Sequence, residues 1–281
     1  MNKRIFNIVL LLLLFILPLS GEIIVDDVGR KVDIMLPVNR VISLSPGHTE
    51  MIYFLSKEEK LIAVSQNCDY PDDTKNKIKA GTFFNPDIEK IIKLKPDLVI
   101  SGGGIQKKAI KKLEDLKIPV IVFYPDSIDG IIKNMEVLCK ILNADVKKVE
   151  NFKNKIIKNK KDKKVKTYLE LWDKPKMAIG GKSFINDIIF YAGGENIFNN
   201  SISEYPKINE EEILKRNPEV IILLYETKRK NFPLFDKTDA GKNKRIFILE
   251  KEKQDIFLRP SPRILNAIEY LKNIYKDINE K

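Results

Sequence analysis

From residue 40 onward, short apolar runs alternate with longer stretches whose apolar residues recur every three or four positions. RVISLS (40–45), LIAVS (61–65), LVIS (98–101) and VIVFY (120–124) have the length of strands. GHTEMIYFLS (47–56), DIEKIIKLK (87–95) and QKKAIKKLEDL (106–116) have the period of helices. Pro96 ends the second of these helices, because the residue before a proline is pushed out of the α region. This strand–helix alternation predicts a parallel sheet with helices on both faces.

An almost purely helical stretch follows over 127–161, with a break expected near Asn143. Ile131, Ile132, Met135, Leu138, Cys139 and Leu142 fall on one face of it. The alternation then resumes. TYLELW (167–172), MAIGG (177–181), EVIILLY (219–225) and RIFILE (245–250) read as strands. FINDIIFYAGG (184–194), with its glycine stop, NEEEILKRN (209–217) and SPRILNAIEYLKNIY (261–275) read as helices. The fold expected is therefore α/β, with two Rossmann-like lobes on parallel sheets, joined by a single long backbone helix. The expected boundaries are 22–142 for the first lobe, 143–163 for the connecting helix and 164–281 for the second lobe. Ligands of open α/β sheets bind at the carboxyl ends of the strands. Two lobes facing each other would make a cleft there.

The two lobes share a written unit. NPDIEKIIKLKPDLVIS (85–101) lies on KINEEEILKRNPEVIIL (207–223) after a shift of 122 positions. Glu89 meets Glu211, Lys93 meets Lys215, Pro96 meets Pro218, and Asp97 meets Glu219. Asp87 and Asn209 are the expected N-caps, with an acid two residues further in each time. Acids in a first turn are stabilised by the helix dipole by about 0.3–1 kcal/mol. Matching exposed acids in both lobes would equally suit a two-fold partner with arginine pockets. The residues alone leave both readings open.

Composition changes the picture at the N-terminus. Lys3 and Arg4 precede the apolar run 8–17, and PLSGE follows it. A basic start, an apolar run of about ten residues and a small-residue exit make a secretory signal peptide over 1–21. The run is short for a spanning helix, which needs about 20 residues. Without a cysteine near the cleavage region the lipoprotein route is closed, so the expected product is exported to the periplasm. The formal charge of +11 drops to +9 without Lys3 and Arg4, since 1–21 hold no acid. The dense lysine run 153–166 lacks interleaved aromatics, which argues against nucleic acid as a partner. Cys68 and Cys139, 71 positions apart, do not make a disulfide framework.

Several chemistries fail on their residues. GGKS (180–183) resembles the end of a phosphate loop, but position 176 is lysine where that loop needs glycine. SGGG (101–104) follows a strand without completing a dinucleotide fingerprint. His48 is the sole histidine, which disfavours a triad or a histidine-rich metal site. At a helix start it reads as structural rather than as a ligand. No catalytic residue, resident metal or cofactor is expected. Aromatic residues instead gather in the expected inter-lobe loops: Tyr70, Phe83, Phe84, Tyr205 and Phe257, the last close to Arg259. Such a lining suits a large, flat or partly apolar ligand.

The stretches DDVGRKVDIMLPVNRVISLSPGHTEMIYFL, NCDYPDD, GGKSFINDIIFYAGGENIF and RPSPRILNAIEYL, with the repeated unit, resemble the substrate-binding proteins of ABC importers whose lobes are joined by a rigid helix. CDYP and GGENIF most resemble the cobalamin-binding members. The resemblance implies a protein that is a monomer when free, carries a corrinoid as transported ligand and docks on a homodimeric ABC permease. It implies docking for Glu89 and Glu211. It maps aromatic pocket positions onto Phe83, Tyr205 and Asn67, and a residue near the cleft onto Arg259. Ferric siderophores and haem are the alternative cargo, and an envelope enzyme is the alternative of a different class.

Overall fold

The computed structural model describes residues 20–157, 164–228 and 231–280. The expected signal segment therefore lies almost wholly outside the described residues. The chain opens with an antiparallel hairpin, β1 (Ser20–Val25) and β2 (Lys31–Leu36). The sequence pattern did not anticipate it. Its inward residues Ile24, Val32 and Ile34 are buried in the main core.

The first lobe carries β3 (Val41–Ser43), β4 (Leu61–Val64), β5 (Ile78–Lys79), β6 (Leu98–Ser101) and β7 (Val120–Val122). They form one sheet in the order β5-β4-β3-β6-β7, with every pair parallel. Helices α1 (Pro46–Phe54), α2 (Ile88–Leu94) and α3 (Lys107–Asp115) connect the strands. The second lobe has β8 (Val165–Asp173), β9 (Lys176–Ala178), β10 (Gly194–Asn196), β11 (Val220–Leu223) and β12 (Ile246–Ile248). Its order is β10-β8-β11-β12, all parallel, and β9 folds back antiparallel on β8. Parallel strands are buried on both faces, which is why they read as continuous apolar runs.

Between the sheets the helical stretch breaks where the sequence suggests. Helix α4 (Ile128–Leu142) is capped by Ser127, whose hydroxyl accepts the Gly130 N–H at 3.1 Å. It ends at Asn143, a left-handed residue with φ 54°. Helix α5 (Lys147–Ile157) follows and packs on the first lobe, with the Phe54 and Phe152 rings edge to face at 5.9 Å. The connection was expected at 143–163. Residues 158–163 of that stretch lie outside the described residues, and α4 also meets the second lobe, packing against α6 (Phe184–Ala192) and donating its Ile128 N–H to Asp187 at 2.9 Å.

One core therefore runs through the whole protein. Val41, Val64, Leu98 and Ile100 of the first sheet, the apolar face of α4, and Leu169, Val220 and Ile222 of the second sheet belong to it. The opposite sheet faces have their own smaller cores. One is built on Ile42, Ala63 and Val99, the other on Tyr168, Ile221 and Leu223. The second lobe is completed by α7 (Glu210–Arg216), the short α8 (Asp239–Lys242), α9 (Lys251–Leu258) and α10 (Ile264–Asn279). The sequence reading contained neither α8 nor α9.

The repeated unit holds its register in three dimensions. Asp87 caps α2 by accepting the Lys90 N–H at 3.0 Å, and Asn209 caps α7 by accepting the Glu212 N–H at 2.9 Å. Both helices have seven residues and end left-handed, at Lys95 (φ 46°) and Asn217 (φ 45°). The pre-proline rule gave the stops, and β6 and β11 begin at the same offset after them.

Candidate functional site

A cavity of about 650 Å³ opens between the lobes. On the first lobe its lining follows the carboxyl ends of β3, β4, β6 and β7, where an open parallel sheet presents its loops. The second lobe contributes Ser183 and Phe184, Glu204 and Tyr205, and the segment through α9 to Pro260. Lobe junction and cavity floor coincide at the start of α1. A side chain at Gly47 would place its Cβ 2.7 Å from the Pro260 carbonyl oxygen, so only glycine allows this approach.

Phe83 and Phe84 form the aromatic wall of the first lobe, edge to face at 5.3 Å. Phe84 is 65% exposed and free to meet a ligand. Phe83 is held from both sides of its peptide. Asn67 Oδ1 accepts its N–H at 2.8 Å, and Gln106 Nε2 donates to its carbonyl at 2.7 Å. Buried Gln106 also donates to Leu44 O at 3.1 Å and accepts from Ser101 Oγ at 2.6 Å, so one amide ties together three cavity loops. The glycines of the SGGG run find their use here. A Cβ at Gly102 would lie 2.8 Å from the Phe83 ring, and one at Gly103, where φ is +90°, 2.9 Å from the Tyr124 ring. Tyr205 supplies the facing aromatic of the second lobe, its hydroxyl pushed up by burial.

Asn67, Phe83, Phe84, Tyr205 and Arg259 are thus brought together around one cavity. Asn67 is there as the holder of Phe83. Two expected members lie elsewhere. Phe257 is 0% exposed, packed in the main core edge to face with Tyr270, because α9 turns that side inward. Its neighbours Leu258 and Arg259 reach the cavity instead. Tyr70 lies away from the lining, half-exposed, under the Arg263 guanidinium at 4.0 Å.

The polar lining is mostly acidic. Asp69, Asp126, Glu204 and Asp255 face two cations, Lys251 and Arg259. Both cations are already engaged. Arg259 meets Glu50 at 3.0 Å, Asp69 at 2.7 Å and Asp255 at 2.8 Å, and Lys251 meets Asp69 at 3.0 Å. Burial alone would raise the Asp69 carboxyl, but hydrogen bonds from Arg259 and Lys251 outweigh it and hold it down at about 2. Arg259 is raised: burial opposes its charge, and Asp69 and Glu50 more than restore it. Across the other side, Tyr124 donates to Glu204 at 2.9 Å from lobe to lobe, and burial together with that carboxylate pushes the phenol up to about 12. Asp27, in the turn of the unanticipated hairpin, fixes Tyr124 by accepting its backbone N–H at 2.7 Å.

Sequence reasoning missed His48, Asp69, Tyr124, Glu204 and Lys251 as lining residues. The rule that loops after parallel strands face the ligand would have found Asp69 and Tyr124. No sequence signal marks Lys251, because α9 was not recognised. His48 lines the cavity while its imidazole is held at about 3 by burial. Cys68 and Cys139 are free thiols, and Cys68 lies within 3.2 Å of Thr49 Oγ1. Among the described residues no group of three or more His, Cys, Asp or Glu could hold a metal ion. Glu89 and Glu211 stand exposed in the first turns of α2 and α7, away from the lining.

A family profile described as periplasmic binding protein matches residues 41–253. The vitamin B12-binding protein of Vibrio campbellii is 31% identical over 256 residues, covering 87% of this chain and 92% of that relative. The crystal structure of the periplasmic vitamin B12 binding protein of Vibrio cholerae superposes with a TM-score of 0.74 at 26% identity, over 87% of this chain and 99% of that one. A possible iron-binding periplasmic protein of Staphylococcus epidermidis gives 0.73 at 28% identity, over 84% and 98%. With the profile covering most of the two-lobed fold, and a relative matched nearly end to end, the chain belongs to the periplasmic binding protein family.

Proposed function

We propose that this chain is the receptor of an ABC importer for cobalamin or a related corrinoid, which it captures in the inter-lobe cleft and delivers to the permease. It does no chemistry on its cargo. The observation that carries this reading is the lining itself. Flat aromatic side chains come from both lobes, and the ionisable groups are net acidic with their cations already paired. A large neutral or cationic disc fits such a cleft. The similarity to vitamin B12-binding proteins over nearly the whole chain supports the same cargo.

A ferric siderophore or haem is the second reading, favoured by the likeness to the possible iron-binding protein. Haem propionates and catecholate siderophores are anionic, and this lining offers them no unpaired cation. In the proposed reading, Phe83, Phe84 and Tyr205 meet the ligand, while Arg259 and Asn67 order its surroundings. Glu89 and Glu211 would be docking points for equivalent arginine pockets of a homodimeric permease. The receptor is exported as a monomer after loss of 1–21, and α4 with α5 joins its lobes. Calorimetry and absorbance with cyanocobalamin, haem and a ferric catecholate test the cargo. One-to-one binding of cyanocobalamin alone is expected. Heat with the siderophore and none with the corrinoid would move the chain to the second reading.

A further inference from the structure

The carboxyl ends of the first sheet line the inter-lobe cavity, but those of β8 and β11 do not. The end of β8 with the turn behind it, and residues 224–227 after β11, line a neighbouring hollow of about 1030 Å³. An open parallel sheet takes its ligands at that edge. Leu258 of α9 lines both spaces, so one side chain separates them. Trp172, the only tryptophan of the chain, stands in this hollow and is 56% exposed. Its ring is oriented all the same. The indole N–H donates to the Lys174 carbonyl at 3.1 Å, and the Tyr225 ring lies beside it at 6.3 Å, tilted by 56°. Tyr225 is fixed in turn through its hydroxyl, which donates at 2.5 Å to the fully buried carboxylate of Glu170. Two rings are thus held at their polar tips while an indole face stays open to the hollow.

We propose that Trp172 and Tyr225 form a second aromatic subsite of the cleft, and that it takes the planar heteroaromatic base carried on the lower face of a complete corrinoid. The proposal rests on the corrinoid reading above and deepens it. Size is the first argument. Cavities of about 300–1,000 Å³ suit drug-sized ligands. The inter-lobe cavity, at about 650 Å³, lies within that range, and a corrinoid with its nucleotide loop is several times heavier than such a ligand. Continuity is the second. A group standing out of the plane of a ring held by Phe83 and Tyr205 reaches the hollow past Leu258. Chemistry is the third. Every nucleotide base has a π-face, and bases stack on exposed aromatic side chains without needing a hydrogen-bond code. The charged groups of the hollow, Asp173, Lys174 and Glu226, are mixed in sign, and Asp173 is paired with Lys176 at 2.8 Å. What the hollow offers is therefore a flat apolar face rather than a charge. Haem carries no pendant base, so the subsite favours a complete corrinoid over it.

The test is calorimetry on the mature chain, on Trp172→Ala and on Trp172→Phe, each with cyanocobalamin and with dicyanocobinamide. The second probe has the same ring system without the nucleotide. Trp172→Ala should weaken cyanocobalamin binding roughly fivefold to a hundredfold, the range of base-on-aromatic stacking. It should leave dicyanocobinamide binding nearly unchanged. Trp172→Phe keeps a flat face and should retain most of the cyanocobalamin affinity. Because the result is a ratio of two ligands on one variant, any unfolded fraction cancels. Melting without ligand should also stay close to the parent, since the ring is more than half exposed. An equal loss for both probes in Trp172→Ala would overturn this inference alone. So would cyanocobalamin affinity equal to the parent's. No binding of either probe by the parent chain would overturn the functional reading and this inference with it.

Discussion

Glu50, on the first helix of the first lobe, accepts a hydrogen bond at 3.0 Å from Arg259 of the second lobe. Arg263 approaches the same carboxylate with Nε at 2.9 Å and an amino group at 2.8 Å. All three side chains are largely buried. Removing one partner of a buried ion pair costs about 3–5 kcal/mol, because charge is left uncompensated. Arg259 retains Asp69 and Asp255, so Glu50→Ala should lie near the lower end, at about 3 kcal/mol. Chemical denaturation measures it. A loss under 1 kcal/mol would mean that the lobes do not depend on this contact.

The shared core through α4 bears on lobe motion. Buried side chains of both sheets and of α4 belong to one packed cluster, and packed interiors deform little. Ligand should therefore cause only slight closure. Small-angle scattering curves with and without cyanocobalamin should nearly overlay, and a clear drop in radius of gyration would contradict this.

The duplicated caps allow an internal comparison. Asp87→Ala and Asn209→Ala each remove one side-chain acceptor from equivalent helices. Each should cost about 1 kcal/mol. The sites lie in separate lobes and share no partner, so the double variant should show the sum. Unequal losses would show that the lobes, alike in pattern, differ in local stability.

Charge reversal tests the exposed acids of the same helices. Glu89→Lys with Glu211→Lys should leave folding and cyanocobalamin affinity almost unchanged, because neither residue touches the cavity. Uptake through the cognate permease should be abolished, as like charges would meet at both contacts. Normal transport by the double variant would leave the repeat as duplicated helix capping.

His48 sets a pH dependence. Its imidazole is held at about 3 in the folded protein by burial, against an ordinary value of 6.5. Below pH 6.5 the unfolded chain binds a proton that the folded chain refuses, so stability falls as pH drops from 6.5 toward 3. One such group gives a slope of at most about 1.4 kcal/mol per pH unit. Asp69, depressed to about 2, acts only below its ordinary 3.8, while Asp187, raised by burial, acts above 3.8 with the opposite sign, so the histidine's share of the slope between 4 and 6.5 is the part that its substitution removes. His48→Phe should flatten the ligand-free stability profile in that window. An unchanged slope would assign it to other groups.

Most of the strands and helices, the parallel sheets, the α4 break and both caps of the repeat were legible in the sequence, while the short β5 and β10 and the helices α8 and α9 were not. Each rests on local chemistry: period, a proline stop, a side chain reaching its own helix end. The hairpin β1–β2 escaped: β1 begins at the end of the expected signal segment and stops before Asp26, while β2 lies inside the resemblance stretch that starts there. Tertiary structure alone decided the site. Phe257 and Arg259 are two positions apart, yet one is in the core and the other on the cavity, because the packing of α9 chooses which side faces in. Arg259 reads as a residue near the ligand and does line the cavity, but that its guanidinium is engaged by Glu50, 209 positions away, is visible only in the fold. His48 reads as structural, and only the fold shows that both its nitrogens are buried without partners. A sequence specifies which groups a chain owns and where helices and strands start and stop. Whether a buried polar group has been satisfied depends on segments far apart in the chain, and only the folded packing brings them together.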